Sequence, residues 1–230
     1  MTSPATAGWS GTRPDVMPPD TMNDETSSAE RWDKRYRAAA EPPFGEAPNE
    51  YLRMICARSD FAARRVLSLA DGDGRNGAWL AGQGCAVTAV DCSAVASERA
   101  EALDRRRGVA VTRLVADLAE WSPAPGEAWD AVFVIYLQGT GALRLRTLEI
   151  AVAALAPGGW LVVEGFSKAQ GPRPGIGPDD ADRLYDLEEL RAATSGLQVV
   201  EALTGRVRLD EGPRHRGEAE VVRFAARRPA

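Results

Sequence analysis

A six-residue segment with three glycines carries the clearest chemical signal in this sequence. Gly72-Asp-Gly-Arg-Asn-Gly77 directly follows a predicted buried strand and opens a predicted helix. Glycines allow the backbone to turn tightly and to approach a ligand, and the N-terminus of the helix offers free N–H groups. This order of elements predicts a binding site for a nucleoside cofactor.

Two aspartates stand at the ends of the next two predicted strands. Asp91 lies 19 residues after Gly72, where a carboxylate can accept hydrogen bonds from both ribose hydroxyls of a nucleoside. Asp117 follows the third strand and is well placed for an adenine amino group, with Leu118 as an apolar neighbour. Adenosine with a short charged tail fits this pattern better than a dinucleotide.

Other ligands are less compatible with the residues present. Asp71 and Asp73 begin like a calcium loop, but the glycine and glutamate that such a loop requires later are missing. Three unpaired cysteines and one histidine lack the spacing of metal sites, so no metal and reduced thiols are expected. An NAD(P)-dependent oxidoreductase remains an alternative, although no tyrosine has a lysine four positions later.

The elements that must position these residues alternate along the chain. Apolar runs predict five strands, near 66–70, 86–90, 111–116, 131–137 and 160–166. Helices are predicted near 47–60 and 76–83, after a cap at Ser93, along Leu145, Leu148, Val152 and Leu155, and near Leu187. Two further strands, near 197–204 and 219–227, follow without a helix between them. We therefore expect an α/β, Rossmann-like fold: a seven-stranded, mostly parallel sheet with helices on both faces and a C-terminal antiparallel β-hairpin.

Charge and composition limit the partners. The net charge is −5, and the first 30 residues carry −4 of it. Residues 1–29 are predicted to be a flexible acidic leader, and residues 30–230 a single domain. No basic face, apolar span or signal peptide is evident, which predicts a cytoplasmic protein that binds neither nucleic acid nor membrane.

From Arg31 to Arg227 the chain resembles class I S-adenosylmethionine-dependent methyltransferases. It is most similar to the tellurite-resistance and thiopurine methyltransferase-like branch. The residues that carry the resemblance are Trp32-Asp-Lys-Arg-Tyr36, Phe44-Gly-Glu-Ala-Pro-Asn49, Ala70-Asp-Gly-Asp-Gly-Arg-Asn76, Val87-Thr-Ala-Val-Asp-Cys-Ser93, Trp129-Asp130, Leu155-Ala-Pro-Gly-Gly-Trp160, Phe166-Ser-Lys-Ala-Gln170 and Glu211-Gly-Pro-Arg-His-Arg-Gly217.

The resemblance implies S-adenosylmethionine as the cofactor and S-adenosylhomocysteine as its product. It also implies a set of cofactor-binding residues: Gly72, Gly74, Arg75 and Asn76 around the methionine part, Asp91 at the ribose, Cys92, Ser93, Asp117 and Leu118 at the adenine, and Trp32, Tyr36, Phe44 and Asn49 as a cover, with Ala70 and Tyr136 completing the site.

The acceptor side is less defined. Gln138-Gly-Thr stands where this branch has His-Leu-Pro, and glutamine cannot act as a base near neutral pH. The acceptor-side candidates are Tyr36, Gln138, Arg144 and His215. A sulfonium methyl group is already activated, so a soft acceptor such as a thiol or a selenium or tellurium species needs no strong base. We expect a small-molecule methyltransferase, as a monomer or homodimer; a non-catalytic S-adenosylmethionine sensor is the other alternative.

Overall fold

A seven-stranded sheet organises residues 27–171 and 176–230, the part of the chain that the computed structural model describes. The strands are β1 Arg65–Leu69, β2 Ala86–Asp91, β3 Val111–Val115, β4 Trp129–Ile135, β5 Leu155–Phe166, β6 Gln198–Asp210 and β7 Arg216–Arg227. Their order across the sheet is β3-β2-β1-β4-β5-β7-β6. The pairs from β3 to β5 are parallel, whereas β7 pairs antiparallel with both β5 and β6. The predicted fold class is confirmed.

The helices of the described residues are α1 Ser28–Ala38, α2 Glu50–Cys56, α3 Arg75–Gly82, α4 Ala94–Arg107, α5 Gly141–Ala154 and α6 Leu187–Ala193. Short 3-10 turns occupy Lys168–Gln170 and Ala181–Arg183. The cap predicted at Ser93 is present, because its hydroxyl accepts a hydrogen bond from the Ala96 N–H at 3.0 Å. None of these helices combines the length and apolar character that a membrane crossing requires.

The core lies on both faces of the sheet, and β4 shows why. Its residues are buried almost throughout, but successive side chains point to opposite faces. Val132 and Val134 belong to one apolar cluster, while Ala131 and Phe133 belong to the other. The continuous apolar run of this strand therefore reflects a central position covered by helices on both sides.

Several boundaries differ from the sequence prediction. The helix expected over 47–60 covers only Glu50–Cys56, because Asn49 caps it and a turn follows Ala57. The stripe expected on α5 is partly wrong: Leu145 is 49% exposed, and Leu155 already belongs to β5, where it pairs with Trp129.

The C-terminal hairpin is longer than predicted. Its strands extend to Asp210 and from Arg216, with Asp210 paired with Arg216 and Arg206 with Glu220. The alternating polar residues in this region hide the strand from an apolar pattern. Because the strands are longer, the hairpin tip, residues 211–215, reaches the functional cleft, where His215 is one of the lining residues.

The predicted leader lies almost wholly outside the described residues, which begin at residue 27, so it stays a prediction. What the structure does describe is the start of α1. Ser27 and Glu30 form a capping box, in which each side chain bonds the other residue's backbone N–H. The described residues therefore begin at a defined helix cap.

Candidate active site

A cleft opens at the carboxyl ends of β1, β2 and β4, under a cover formed by α1 and the hairpin tip. It encloses about 790 Å³, counting the solvent at its mouth. Fourteen of the predicted residues line it: Trp32, Tyr36, Phe44, Ala70, Gly72, Arg75, Asn76, Asp91, Cys92, Asp117, Leu118, Tyr136, Gln138 and His215. This is where ligands bind in open parallel sheets, at the crevice beyond the strand ends.

The glycine turn is held from behind by a buried ion cluster. The Asp71 carboxylate accepts hydrogen bonds from Ser68 Oγ at 2.7 Å, from the Gly77 N–H at 3.1 Å and from Arg113 Nη1 at 3.0 Å. Arg113 also donates to both oxygens of Asp104. Asp71 is thus fully engaged with the protein, and its role is to fix the turn.

Gly74 shows why the turn requires glycine. Its φ is +87°, and a Cβ atom there would lie 2.5 Å from the Ala100 Cβ of α4. As the N-cap of α3 it has no side chain, and the Gly77 N–H is already bonded to Asp71, so the N–H groups of Arg75 and Asn76 are the ones left without a side-chain cap. Gly74 does not itself line the cleft, but it leaves these two donors available to a ligand.

Asp91 is anchored where a ribose binder is expected. Its two carboxylate oxygens accept hydrogen bonds from the Gly72 and Ser93 N–H groups, each at 2.8 Å. Burial raises the pKa of Asp91 to about 6, against the opposing effect of these backbone donors. Each carboxylate oxygen has a second lone pair, so the anchored group can still accept bonds from a ligand.

Asp73, between the two glycines, is a site residue that the sequence analysis did not assign. It lines the cleft, is 7% exposed, and its Oδ2 atom has no hydrogen-bond partner. Burial raises the pKa of Asp73 to about 6, although the Arg75 guanidinium opposes that shift. A buried carboxylate oxygen without a partner calls for a cationic or donor group from a ligand.

Arg75 links the two segments that cover the cleft. Its guanidinium donates to the Phe44 carbonyl at 3.0 Å and to Glu211 Oε2 at 2.7 Å. These contacts occupy both terminal nitrogens with protein acceptors. Arg75 lines the cleft as predicted, but the structure gives it a positioning role that the sequence did not indicate.

Aromatic rings form one wall of the cleft. The rings of Trp32, Tyr36 and Phe44 follow one another at centroid distances of 5.9 to 6.4 Å. Phe44 in turn contacts His215, with 4.8 Å between ring centroids. Tyr136 and Ala70, at the ends of β4 and β1, have φ angles of +54° and +56°, a strained conformation of the kind found at functional sites.

Three further predicted residues lie outside the cleft. Asn49 caps α2 and donates to Glu164 and Glu211. Ser93 caps α4 and donates to Asp33. Arg144 lines a separate cavity and donates to the carbonyls of Gly139 and Asp182. Within the described part of the chain, no three His, Cys, Asp or Glu side chains gather as a metal site would require.

Comparison with known proteins relates part of the chain to methyltransferases. Residues 66–159 match the family model of a methyltransferase domain. A trans-aconitate 2-methyltransferase of Paracidovorax citrulli is 36% identical over 114 residues, which are 48% of this chain and 42% of that protein. The chain therefore matches less than half the length of this relative.

Solved structures share the fold at low sequence identity. One, solved for the conversion of a disulfide bond into a thioacetal group during echinomycin biosynthesis, has a TM-score of 0.68 at 21% identity and covers 87% of this chain and 91% of its own. The N-methyltransferase NodS of Bradyrhizobium japonicum WM9, in complex with S-adenosylhomocysteine, gives 0.59 at 20%, covering 90% of each chain. TehB of Haemophilus influenzae gives 0.61 at 15%, covering 87% of this chain and 66% of its own. Residues 66–159 thus resemble a methyltransferase domain, and the described chain shares its Rossmann-like fold with solved methyltransferases.

Proposed function

We propose that this protein is an S-adenosylmethionine-dependent methyltransferase whose acceptor is a small molecule. The observation that carries the proposal is the pair of carboxylates at the glycine turn. Asp91 is anchored by two backbone N–H groups, and Asp73 keeps one oxygen without a partner. The matched methyltransferase domain, residues 66–159, contains both.

The charges of the cleft suit this cofactor. S-adenosylmethionine has a sulfonium, an ammonium and a carboxylate group. The free oxygen of Asp73 can accept from the ammonium, and the N–H groups of Arg75 and Asn76, the first two of α3, can donate to the carboxylate. The aromatic faces of Trp32 and Phe44 suit a sulfonium through cation–π attraction.

The protein's part in catalysis is alignment and exclusion of water. The bound cofactor supplies a methyl group that its positive sulfur already activates. Asp91 fixes the ribose end, while α1 and the hairpin tip cover the other side and limit water. The buried wall, which includes Tyr136 and Leu137, gives the acceptor an apolar approach.

For the acceptor we propose sulfur first, and selenium or tellurium species second. The aromatic wall offers an apolar surface suited to a soft nucleophile, and none of the described residues that line the cleft is a lysine. The structural neighbour concerned with a disulfide and a thioacetal supports sulfur chemistry. The likeness to TehB supports the proposed placement near the tellurite-resistance branch. A polycarboxylate acceptor, as in the curated relative, fits less well because Asp73, Asp91 and Asp117 make the cleft acidic.

Calorimetric titration tests the cofactor. We expect S-adenosylhomocysteine to bind and NAD⁺ not to bind. Asp91→Ala removes charged hydrogen bonds to the ribose, which are worth roughly 1.5–3 kcal/mol each, so the affinity should fall by at least about tenfold. Glu98→Ala, which removes an exposed carboxylate from α4, is the matched control and should leave the affinity unchanged. Binding of NAD⁺, or equal affinities for both variants and the wild type, would contradict the proposal.

An acceptor screen tests the reaction. Production of S-adenosylhomocysteine should exceed the background without acceptor for at least one thiol, selenite, tellurite or thiopurine. Binding of the cofactor without turnover on any small molecule would instead favour the sensor alternative.

A further inference from the structure

His215, the single histidine of the chain, lies in the hairpin tip and lines the cleft. It is 1% exposed and enclosed by an aromatic cage of Phe44, Tyr136 and Phe166, with ring centroids 4.8, 4.4 and 5.3 Å away. The cage comes from three different parts of the chain. The fold thus brings an imidazole to the acceptor side of the cleft and shields it from solvent.

Neither ring nitrogen of His215 has a hydrogen-bond partner among the described residues. Buried polar atoms almost always have partners, and a buried imidazole left without one costs free energy. Nδ1 lies 3.7 Å from Glu211 Oε2, which is an electrostatic contact and longer than a hydrogen bond. No described residue forms a hydrogen bond with Nε2. A ligand in the cleft would supply the missing partner.

Glu211 is held in place by other contacts. Its Oε1 accepts from Asn49 Nδ2 and from the Glu50 N–H, each at 3.1 Å, and its Oε2 accepts from Arg75 Nη2 at 2.7 Å. Burial alone would raise the pKa of Glu211, but His215 and Arg75 together lower it to about 2. A fixed carboxylate beside Nδ1 favours the tautomer with the proton on Nδ1, which leaves Nε2 as an acceptor.

The surroundings also keep His215 neutral near pH 7. Burial lowers its pKa, and the positive charges of Arg75 on α3 and of Arg214 on the hairpin tip lower it further, while Glu211 opposes them. Tyr136, which packs against it from the end of β4, has a pKa raised by burial and stays uncharged. A neutral imidazole can accept a proton.

We propose that His215 is the catalytic base, that Glu211 is its positioning residue, and that the acceptor is therefore a neutral thiol. The inference rests on the proposed function and names its acceptor. In the reaction the S–H bond of the acceptor breaks, and the proton goes to Nε2 of His215. The acceptor sulfur forms a bond to the methyl carbon, and the bond from that carbon to the sulfonium sulfur breaks, leaving its electron pair on that sulfur. The proton later leaves His215 for solvent.

Two thiols of similar size can distinguish a catalytic role of His215 as a base from a merely structural role. Phenylmethanethiol is protonated near pH 7.5, whereas 4-nitrobenzenethiol is ionised and needs no base. General base catalysis contributes roughly 10²- to 10⁴-fold, so His215→Gln should lower kcat for phenylmethanethiol by about 100-fold and change kcat for 4-nitrobenzenethiol by less than about threefold. Glu211→Gln should give the same pattern with a smaller loss.

The wild type offers a second measurement that does not depend on a variant folding. The ratio of kcat/KM for phenylmethanethiol to that for 4-nitrobenzenethiol should fall as the pH falls through the pKa of His215, which lies below 6.5. Taking the ratio cancels the pH dependence of cofactor binding. Titration with S-adenosylhomocysteine checks that the variants keep the cofactor site.

Each other outcome is informative. Equal losses for both thiols, or a ratio that does not change with pH, would overturn the role of His215. Cofactor binding without turnover of either thiol by the wild type would overturn the thiol assignment and leave the proposed function standing. Absence of S-adenosylhomocysteine binding would instead mean that the proposed function itself is wrong.

Discussion

The cleft has two halves that are built in different ways. The donor half is formed by the glycine turn with Asp71, Asp73 and Asp91, and the acceptor half by His215 with Glu211 and Arg75. The donor half uses contacts that are short in sequence: Asp71 bonds the Gly77 N–H six residues on, and Asp91 bonds the Gly72 N–H 19 residues back. The acceptor half joins distant segments, since Arg75 and Glu211 are 136 residues apart. In the donor half Asp71 and Asp91 are anchored by protein donors, whereas in the acceptor half both nitrogens of His215 lack partners.

This difference separates binding from chemistry. A carboxylate that is already anchored presents its remaining lone pairs at a fixed place, which suits recognition of a cofactor. A shielded imidazole without partners is less stable but open to proton transfer, which suits the reacting group. Asp73 is the exception in the donor half, because its Oδ2 atom has no hydrogen-bond partner among the described residues.

The largest effect is expected from the ion cluster behind the glycine turn. Arg113→Leu leaves Asp71 and Asp104 buried without their cation, so the free energy of unfolding should fall by about 3–5 kcal/mol. Urea denaturation measures it. The control is Arg206→Leu, which breaks the exposed pair with Glu220 and should cost less than about 1 kcal/mol. Similar losses in the two variants would show that burial of the cluster contributes nothing.

A smaller effect, confined to the acceptor half, is expected at Gly212. Its φ is +102°, and a Cβ atom there would lie 2.2 Å from the Gly45 N atom. Gly212→Ala should strain the hairpin tip by about 1–3 kcal/mol and lower kcat/KM for the acceptor by roughly tenfold, with little change in S-adenosylhomocysteine affinity. Gly196→Ala has open space around its Cβ and serves as the control. Equal loss of cofactor affinity would contradict the separation of the halves.

Asp73 should show opposite effects on stability and binding. Its pKa of about 6 lies above the ordinary 3.8, so the stability it contributes is present below pH 3.8 and is lost as the pH rises through 6. At pH 7.5 the buried charge therefore costs stability, and Asp73→Asn should raise the free energy of unfolding without ligand by about 1–3 kcal/mol. The same change should weaken S-adenosylhomocysteine binding by about tenfold, because the ammonium loses its carboxylate.

Thermal unfolding at two pH values checks the predicted direction of the stability change in Asp73→Asn. The advantage of Asp73→Asn over the wild type should be clear at pH 7.5 and should shrink towards pH 4.5, where the wild-type carboxyl is protonated. A variant that is less stable than the wild type at pH 7.5 would contradict the assignment.

The smallest effect is expected at Asp117. This residue is exposed and its Oδ1 atom accepts from the Ala119 N–H. Because water competes for the carboxylate, Asp117→Ala should weaken S-adenosylhomocysteine binding only about 2- to 10-fold, less than Asp91→Ala. Calorimetry compares the loss of affinity in Asp117→Ala with that in Asp91→Ala. A larger loss for Asp117→Ala would mean that the main cofactor contact follows β3 and not β2.

The same comparison explains what the sequence could predict. The glycine turn, Asp91, and the alternation of strands and helices before a C-terminal hairpin depend on local patterns, and all were predicted. The placement of His215 against Phe44 depends on two turns meeting across the sheet, and no spacing encodes it. Glu211 was visible only as part of a resembling segment. Asn49 was predicted to contact the cofactor, but it caps α2 and donates a hydrogen bond to Glu164. The sequence does not indicate this bond, because the two residues are 115 positions apart.

Some features that were not predicted do have a signal in the sequence. Ser27 and Glu30 have the spacing of a capping box, which marks the start of α1. The residues from Gly205 to Asp210 alternate polar and apolar side chains, a pattern that fits an edge strand with one solvated face. The free oxygen of Asp73 had no such signal, because whether a buried group finds a partner depends on packing.

The bond between Arg75 and Glu211 also bears on the order in which the protein is made. A ribosome releases the glycine turn and β2 well before residue 211 emerges, so the two ends of this bond cannot meet until the hairpin has been synthesised. Closing a contact across 136 residues is slow, because the loop entropy is lost before the contact forms. A newly made chain would accordingly complete the surroundings of His215 last.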